Sequence, residues 1–122
     1  MKNKVYYYQH YGVIFVDEKE MMSMFEKEED ARNVLVESRK RIDEIDNDLV
    51  NLISERTSLA KDIVSAKLFL GMEIYDKSRE DEIHAKVSKL ADENNIDNDI
   101  LSDIMNMLTI LSKNKQRELL EE

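Results

Sequence analysis

Eight polar side chains fall where an apolar helical interface would be expected to run. Two lie on a long amphipathic segment, four in the run AKLFLGMEIYDKSRE that ends it, and two on a later segment; they are Arg39, Arg56, Lys67, Asp76, Arg79, Glu80, Ser112 and Gln116. Bases, acids and amides grouped in this way predict a site for a small, highly charged ligand that is bound between helices.

The spacing of the basic residues predicts which of them can share a site. Arg56 and Lys67 are eleven positions apart, so on one helix they share a face, about 16 Å apart, and could contact opposite ends of one ligand. Arg39 precedes Arg56 by 17 residues, roughly 25 Å along a helix axis, which is too far to join that site. An antiparallel second copy could bring its own Arg39 there instead. Ser112 and Gln116 stand at i and i+4 on one helical face.

Each of the eight also has a purely structural interpretation, and spacing alone leaves both open. Arg39, Lys67 and Arg79 could be solvated surface charges, and Arg56 could belong to a buried ion pair. Asp76 could serve only as a helix cap, and Glu80 could pair with His84 at i,i+4. Ser112 and Gln116 could lie near a helix end, where water satisfies them.

Composition excludes several partners and chemistries. The 122 residues predict a single domain, and 18 Lys and Arg against 27 Asp and Glu give a net charge of −9. This charge argues against nucleic acid or an anionic membrane as a partner. Cysteine is absent, histidine occurs twice, and no Ser-His-acid set, glycine-rich phosphate loop or calcium-loop spacing is evident, so we expect no metal and no cofactor. The N-terminal apolar stretch is too short and broken for a signal peptide or a bilayer span, which predicts a cytoplasmic protein.

Long helices are predicted from about Asp30 onward, because the chain has no proline and only two glycines. Apolar residues recur at steps of three and four along the first helix, interrupted once by Arg56. This apolar seam consists of Ile42, Ile45, Leu49, Leu52, Leu59, Ile63, Ala66 and Leu70.

The ends of the helices have recognisable signals. The first helix should end near Gly71, since glycine suits a helix C-terminus. Asp76 should cap the second helix, which ends at Asn94 and Asn95, and Asp97 should cap the third. The predicted buried faces are Ile83, Val87, Leu90 and Ala91 on the second helix, and Leu101, Ile104, Met105, Leu108 and Leu119 on the third.

Residues 1–29 are predicted to be an N-terminal extension to a helical domain at 30–122. Aromatic and β-branched residues around Gly12 favour a small hairpin, and the charge-rich run after it favours a short helix. Three roles for residues 1–38 stay open. They could pack over helix ends, form a surface for an aromatic effector or partner enzyme, or precede an alternative start at Met21, Met22 or Met24.

The predicted fold is all-α, with three helices per chain, the first very long. Residues 39–70 alone span about 48 Å, and each later helix is about half as long, so one copy cannot cover the whole apolar seam. We therefore expect an intertwined antiparallel homodimer.

The run RKRIDEIDNDLVNLISERTSLAKDIVSAK, followed by IYDKSRE and ILSKNKQ, resembles the all-helical class of chorismate mutases. The resemblance extends from Arg39 to Gln116 and includes all eight polar positions. It departs from many members in one place, because GMEIYD lacks a proline before the aspartate, which affects loop rigidity more than chemistry. The resemblance implies an intertwined dimer that converts chorismate to prephenate in phenylalanine and tyrosine biosynthesis, with no cofactor.

The resemblance also implies a role for each polar residue. Arg39 of the partner subunit and Arg56 would bind the two carboxylates of the substrate, where a planar guanidinium is superior to an ammonium. Lys67 and Gln116 would donate hydrogen bonds to the ether oxygen, on which negative charge develops.

The remaining residues would bind the rest of the substrate. Glu80 and the main chain near Asp76 would accept a hydrogen bond from the ring hydroxyl, while Arg79 and Ser112 would complete the polar lining. The catalytic residues would be Arg56, Lys67, Glu80 and Gln116.

Two other functions compete with this one. An isochorismate-pyruvate lyase of the same fold resembles the mutases at the basic positions but does not keep both acids, so Asp76 together with Glu80 favours the mutase. A non-catalytic helical dimerisation or regulatory module is the second alternative. It is disfavoured because a scaffold would gain stability by replacing buried polar residues with apolar ones.

Overall fold

The computed structural model describes residues 3–8 and 12–121. They form, in order, β1(Asn3–Tyr8), β2(Gly12–Asp17), α1(Glu18–Met22), α2(Glu28–Ser58), α3(Ala60–Leu70), α4(Lys77–Glu93) and α5(Asn98–Glu121). Helices contain most of these residues, so the predicted all-α class is confirmed. Among the helices between Glu18 and Glu121, none has the length and apolar character needed to cross a bilayer. The chain divides into two compact units, Met1–Leu49 and Val50–Glu122.

The first unit contains a two-stranded hairpin and a short helix. β1 pairs antiparallel with β2, in a register that runs from Asn3 opposite Asp17 to Tyr8 opposite Gly12. Asp17 ends β2 and caps α1, because its carboxylate accepts a 2.9 Å hydrogen bond from the backbone N–H of Lys19. Residues 9–11 of the predicted hairpin lie outside the described residues. The division into 1–29 and 30–122 stays a prediction.

The predicted count of three helices is wrong, because the long first helix is broken at Leu59. The Ser58 hydroxyl donates to the carbonyl of Glu55 at 2.6 Å, which is the acceptor that the N–H of Leu59 would use in an unbroken α-helix. The N–H of Leu59 bonds to the carbonyl of Arg56 instead, at 3.3 Å. The helix resumes at once as α3, so four helices of 11 residues or more, α2 to α5, follow the short α1.

The predicted C-terminus of α3, both predicted ends of α4 and the predicted N-terminal cap of α5 are confirmed. Gly71 adopts the left-handed conformation, with φ of 69°, and is followed by the hydrogen bond from Met72 N–H to Lys67 O, 2.8 Å, that defines a Schellman motif. Asp76 accepts the N–H of Arg79 at 3.1 Å, and Asp97 accepts that of Ile100 at 2.9 Å. α4 ends through Asn94 and the left-handed Asn95.

In the second unit, α5 packs against both α3 and α4. The buried residues are small or branched side chains and one amide, namely Ala60, Val64, Val87, Ala91 and Gln116. Burial on α4 was predicted correctly for Val87 and Ala91, which lie four residues apart and face α5.

Other predicted positions are exposed in the single chain. Leu90 and Ile104 are 39% and 51% exposed. The contact between α4 and α5 buries one row of residues on α4, that of Val87 and Ala91, and leaves these neighbouring positions open. On α3 the buried row is Ala60 and Val64, while the neighbouring seam residue Leu59 is 50% exposed. No residue of α2 is fully buried, although Arg56 in its last turn is partly buried.

Candidate active site

A cavity of about 310 Å³ lies in the second unit, where the end of α2 meets α3, α4 and α5. This volume is at the lower end of the range for small-molecule sites. Its polar lining contains seven of the eight predicted residues, Arg56, Lys67, Asp76, Arg79, Glu80, Ser112 and Gln116. Leu59, Ile63, Ile74 and Ile83 supply apolar walls. The eighth residue, Arg39, is exposed on α2 and does not line the cavity.

Lys67, Gln116 and Ser112 form a chain of hydrogen bonds along one wall. The ammonium of Lys67 donates to the carbonyl of Ile74 at 2.6 Å and to Oε1 of Gln116 at 3.1 Å. Nε2 of Gln116 donates to Oγ of Ser112 at 3.3 Å. Gln116 is only 3% exposed, and its bonds to Lys67 and Ser112 hold the amide in one orientation. The ammonium and the amide each keep a further N–H, and the Ser112 hydroxyl keeps its hydrogen, for a ligand in the cavity.

Arg56 lies in the last turn of α2 and is partly buried. Its Nη1 donates to the carbonyl of Leu108 on α5 at 3.0 Å. That bond fixes the position of the guanidinium while the other N–H groups of the planar fork remain able to bind a carboxylate.

The first turn of α4 brings both charge signs to the cavity. Because Asp76 caps the helix, Arg79 and Glu80 follow in its first turn. Arg79 is exposed, and its guanidinium also pairs with Glu82 at 3.1 Å. Within the described residues, Oε2 of Glu80 is buried and has no protein hydrogen-bond partner, so this oxygen can accept a hydrogen from a ligand hydroxyl.

Lys113 is a lining residue that the sequence interpretation missed. Its ammonium lies 3.2 Å from Oε1 of Glu80 and 5.4 Å from the ring centroid of Tyr75. The sequence does not distinguish Lys113 from Lys115, because each is a lysine directly beside one of the predicted residues Ser112 and Gln116. Thr109 also lines the cavity. Its position three residues before Ser112 could have revealed it, since the two share a helical face.

The cavity is more positive than the chain that contains it. Its lining holds four cationic side chains, Arg56, Lys67, Arg79 and Lys113, against the two carboxylates of Asp76 and Glu80. In a chain of net charge −9, this concentration of bases favours an anionic ligand at this place.

Other charged groups lie outside the cavity. On the outer face of α4, a 2.8 Å hydrogen bond to Asp81, together with the charge of that carboxylate, raises the pKa of Lys77. No cluster of three His, Asp or Glu side chains able to hold a metal occurs in the described ranges.

Comparison with known proteins gives two findings. The family described as chorismate mutase type II matches residues 38–117. A curated relative, described as a chorismate mutase of Methanocaldococcus jannaschii, is 46% identical over 88 residues, which cover 72% of this chain and 89% of the relative. The family match includes all the segments that form the cavity.

Proposed function

The chain belongs to the chorismate mutase type II family, and from that premise we propose that the cavity of the second unit is the site at which chorismate rearranges to prephenate. The observation that carries the proposal is the meeting of seven predicted polar residues, from four helices and a connecting loop, around one cavity. The activity belongs to phenylalanine and tyrosine biosynthesis.

The reaction needs positioning and charge stabilisation rather than a nucleophile. The ether C–O bond breaks while a new C–C bond forms in one concerted step, and negative charge grows on the ether oxygen. Lys67 and Gln116 donate to that oxygen. Because Ile74 O and Ser112 Oγ already hold the two side chains in place, little reorganisation is needed as the charge develops.

The remaining residues hold the dianion in its compact, reactive conformation. Arg56 binds one carboxylate through the N–H groups that its bond to Leu108 leaves free. Ser112 and Arg79 complete this polar lining. Oε2 of Glu80 and the main chain near Asp76 accept the hydrogen of the ring hydroxyl.

The proposal includes an intertwined antiparallel homodimer in which Arg39 of the partner subunit completes each site. It is supported by helix α2, whose 31 residues include none that is fully buried. Seam residues on α2 are open to solvent in the single chain, with Ile42 54% and Leu49 51% exposed. A helix with so much exposed apolar surface needs a partner in water, and a second copy of the same helix provides a matching seam.

The proposed function is tested by the loss of chorismate absorbance, with identification of the product, in the presence and absence of excess chelator. We expect prephenate at the same rate in both conditions, because the rearrangement needs positioning and charge stabilisation, which side chains of the two subunits supply. Pyruvate as the product would identify the lyase instead, and a loss of turnover on chelation would show that a metal is required. A form that starts at Met24 tests whether the residues before it are needed for turnover.

Two expectations about the surroundings of the protein remain predictions. They are a cytoplasmic location and the lack of nucleic-acid binding.

A further inference from the structure

The ion pair between Lys113 and Glu80 differs from the surface pairs of this chain. It joins α5 to α4 at 3.2 Å, and its side chains are only 21% and 29% exposed. By contrast, Lys115 and Glu118 lie one turn apart on α5, at 3.4 Å, with side chains 44% and 63% exposed. Partly buried pairs between helices are screened less by solvent than exposed pairs of this kind.

The position of the Lys113 ammonium is fixed from two sides. The carboxylate of Glu80 lies on one side, and the Tyr75 ring lies 5.4 Å away in a cation–π arrangement. On α5, Lys113 directly follows Ser112, so it points about 100° away from the wall formed by Ser112 and Gln116, toward the first turn of α4. Lys113 therefore lies at the edge of the cavity, with its ammonium directed at Glu80.

The two oxygens of Glu80 have different surroundings. Oε1 accepts from Lys113, whereas Oε2 is buried and has no protein partner in the described part of the chain. A carboxylate without a cation would also repel a dianionic substrate in a cavity of this size. The lysine thus orients this carboxylate and offsets its charge toward the substrate.

We propose that Lys113 is a positioning residue of the mutase site, which holds Oε1 of Glu80 and offsets its charge so that Oε2 accepts the hydrogen of the substrate hydroxyl. This inference rests on the proposed function and on the role of Glu80 in it. In this proposal Lys113 acts through Glu80 and not on the breaking bond, which is assigned to Lys67 and Gln116.

The test compares Lys113→Met with Lys115→Met, which removes the same charge from the same helix two residues away. A hydrogen bond between charged groups contributes enough that Lys113→Met should lower kcat/KM about ten- to a hundredfold. Lys115→Met should stay within about twofold of wild type, because exposed pairs contribute little. Lys113→Arg keeps a cation beside Glu80 and should recover most of the loss.

A double-mutant cycle separates action through Glu80 from a general structural role. In a Glu80→Gln background, adding Lys113→Met should lower kcat/KM by no more than about twofold, because the partner charge is already absent. Equal losses in both backgrounds, or wild-type kcat/KM for Lys113→Met, would overturn the proposal. Thermal unfolding checks that each variant is folded at the assay temperature. If Lys113→Met is not folded there, Lys113→Gln takes its place in the cycle.

Failure of the underlying function gives a different result. A wild-type protein that forms no prephenate would refute the proposed function itself. If Glu80→Gln kept wild-type activity, Glu80 would have no role in the site, and the Lys113 proposal would also be refuted. If Glu80→Gln lowered kcat/KM but Lys113→Met caused the same further loss in both backgrounds, only the role of Lys113 would be refuted.

Discussion

Three polar residues of the cavity are held in place by hydrogen bonds to other residues of the protein. Lys67 is bonded to the carbonyl of Ile74, Arg56 to that of Leu108, and Gln116 to the Ser112 hydroxyl. Such contacts fix the donors before substrate arrives, which is the condition under which hydrogen bonds stabilise a transition state more than a ground state. They also satisfy the hydrogen-bonding groups of Arg56, Lys67 and Gln116 where these side chains are withdrawn from water.

Lys67→Ala tests whether this lysine acts on the breaking bond. Removal of one donor aimed at developing charge should lower kcat by about 10²–10³-fold, with a smaller change in KM. Lys61→Ala removes an exposed lysine from the same helix and should retain wild-type kcat. Steady-state kinetics on both variants make the comparison. A loss that appears only in KM would place Lys67 at a carboxylate instead of the ether oxygen.

Gln116→Glu changes the same wall with almost no change in shape. A glutamate donates a hydrogen bond only when protonated, so activity should increase as pH falls through the pKa of the new carboxyl, whose reference value is about 4.3. Asn114→Asp makes the same chemical change at an exposed site on α5 and should keep the wild-type profile. Rates measured from pH 4 to pH 8, around that reference pKa of about 4.3, test this. A flat profile for Gln116→Glu would mean that Gln116 does not face the breaking bond.

Most of the cavity's polar lining could be predicted from residue type and helical spacing. Seven of the eight predicted residues line it, because a polar residue in an apolar stripe is conspicuous. Lys113 and Thr109 were missed for different reasons. Lys113 lies beside the face of α5 that carries Ser112 and Gln116, where a lysine is ordinarily solvated, and only the approach of α4 reveals its partner Glu80. Thr109 lies on that face, but its single hydroxyl makes it less conspicuous among apolar residues.

At the scale of the elements, the break at Leu59 separates Arg56 from Lys67. The sequence predicted one continuous helix, because its apolar repeat passes through this point without a glycine or proline. The break coincides with a local hydrogen bond instead, in which the Ser58 hydroxyl donates to the carbonyl of Glu55. After it, Ala60 and Val64 are buried in place of the predicted seam positions. Heptad spacing therefore predicted the helical stretch, but not its break or the buried face of α3.

Gly71 determines where α3 ends and hence the path of the loop that carries Ile74, the acceptor of Lys67. Its φ of 69° is unfavourable for residues with a side chain, although an added Cβ would meet no atom within 4 Å. Gly71→Ala should therefore lower the free energy of unfolding by about 1–2 kcal/mol through backbone strain alone. Gly71→Asn should lower it less, because asparagine tolerates the left-handed conformation. Denaturant unfolding at matched chain concentration measures both, and equal losses would contradict the explanation by strain.

At the scale of the whole molecule, the apolar surface of α2 and the absence of Arg39 from the cavity support the same proposal. A seam of apolar residues that nothing covers is expected to associate. In an antiparallel pair, the Arg39 of each chain would lie far from the Arg56 of its own chain and could reach the cavity of the other. The sequence supported a dimer because residues 39–70 exceed the length that the later helices can cover. The pairing itself stays a prediction.

Subunit complementation tests that pairing. Arg39→Ala and Arg56→Ala should each inactivate the homodimer, since each removes a carboxylate-binding guanidinium from every site. In a hybrid dimer, one site combines the intact Arg56 of one chain with the intact Arg39 of the other, so refolded equal mixtures should regain about a quarter of wild-type sites. Arg41→Ala, an exposed neighbour paired with Glu44 at 3.2 Å, should be active without mixing. If hybrids form, as mass spectrometry of differently tagged chains can show, and activity does not return, each site must be built from a single chain.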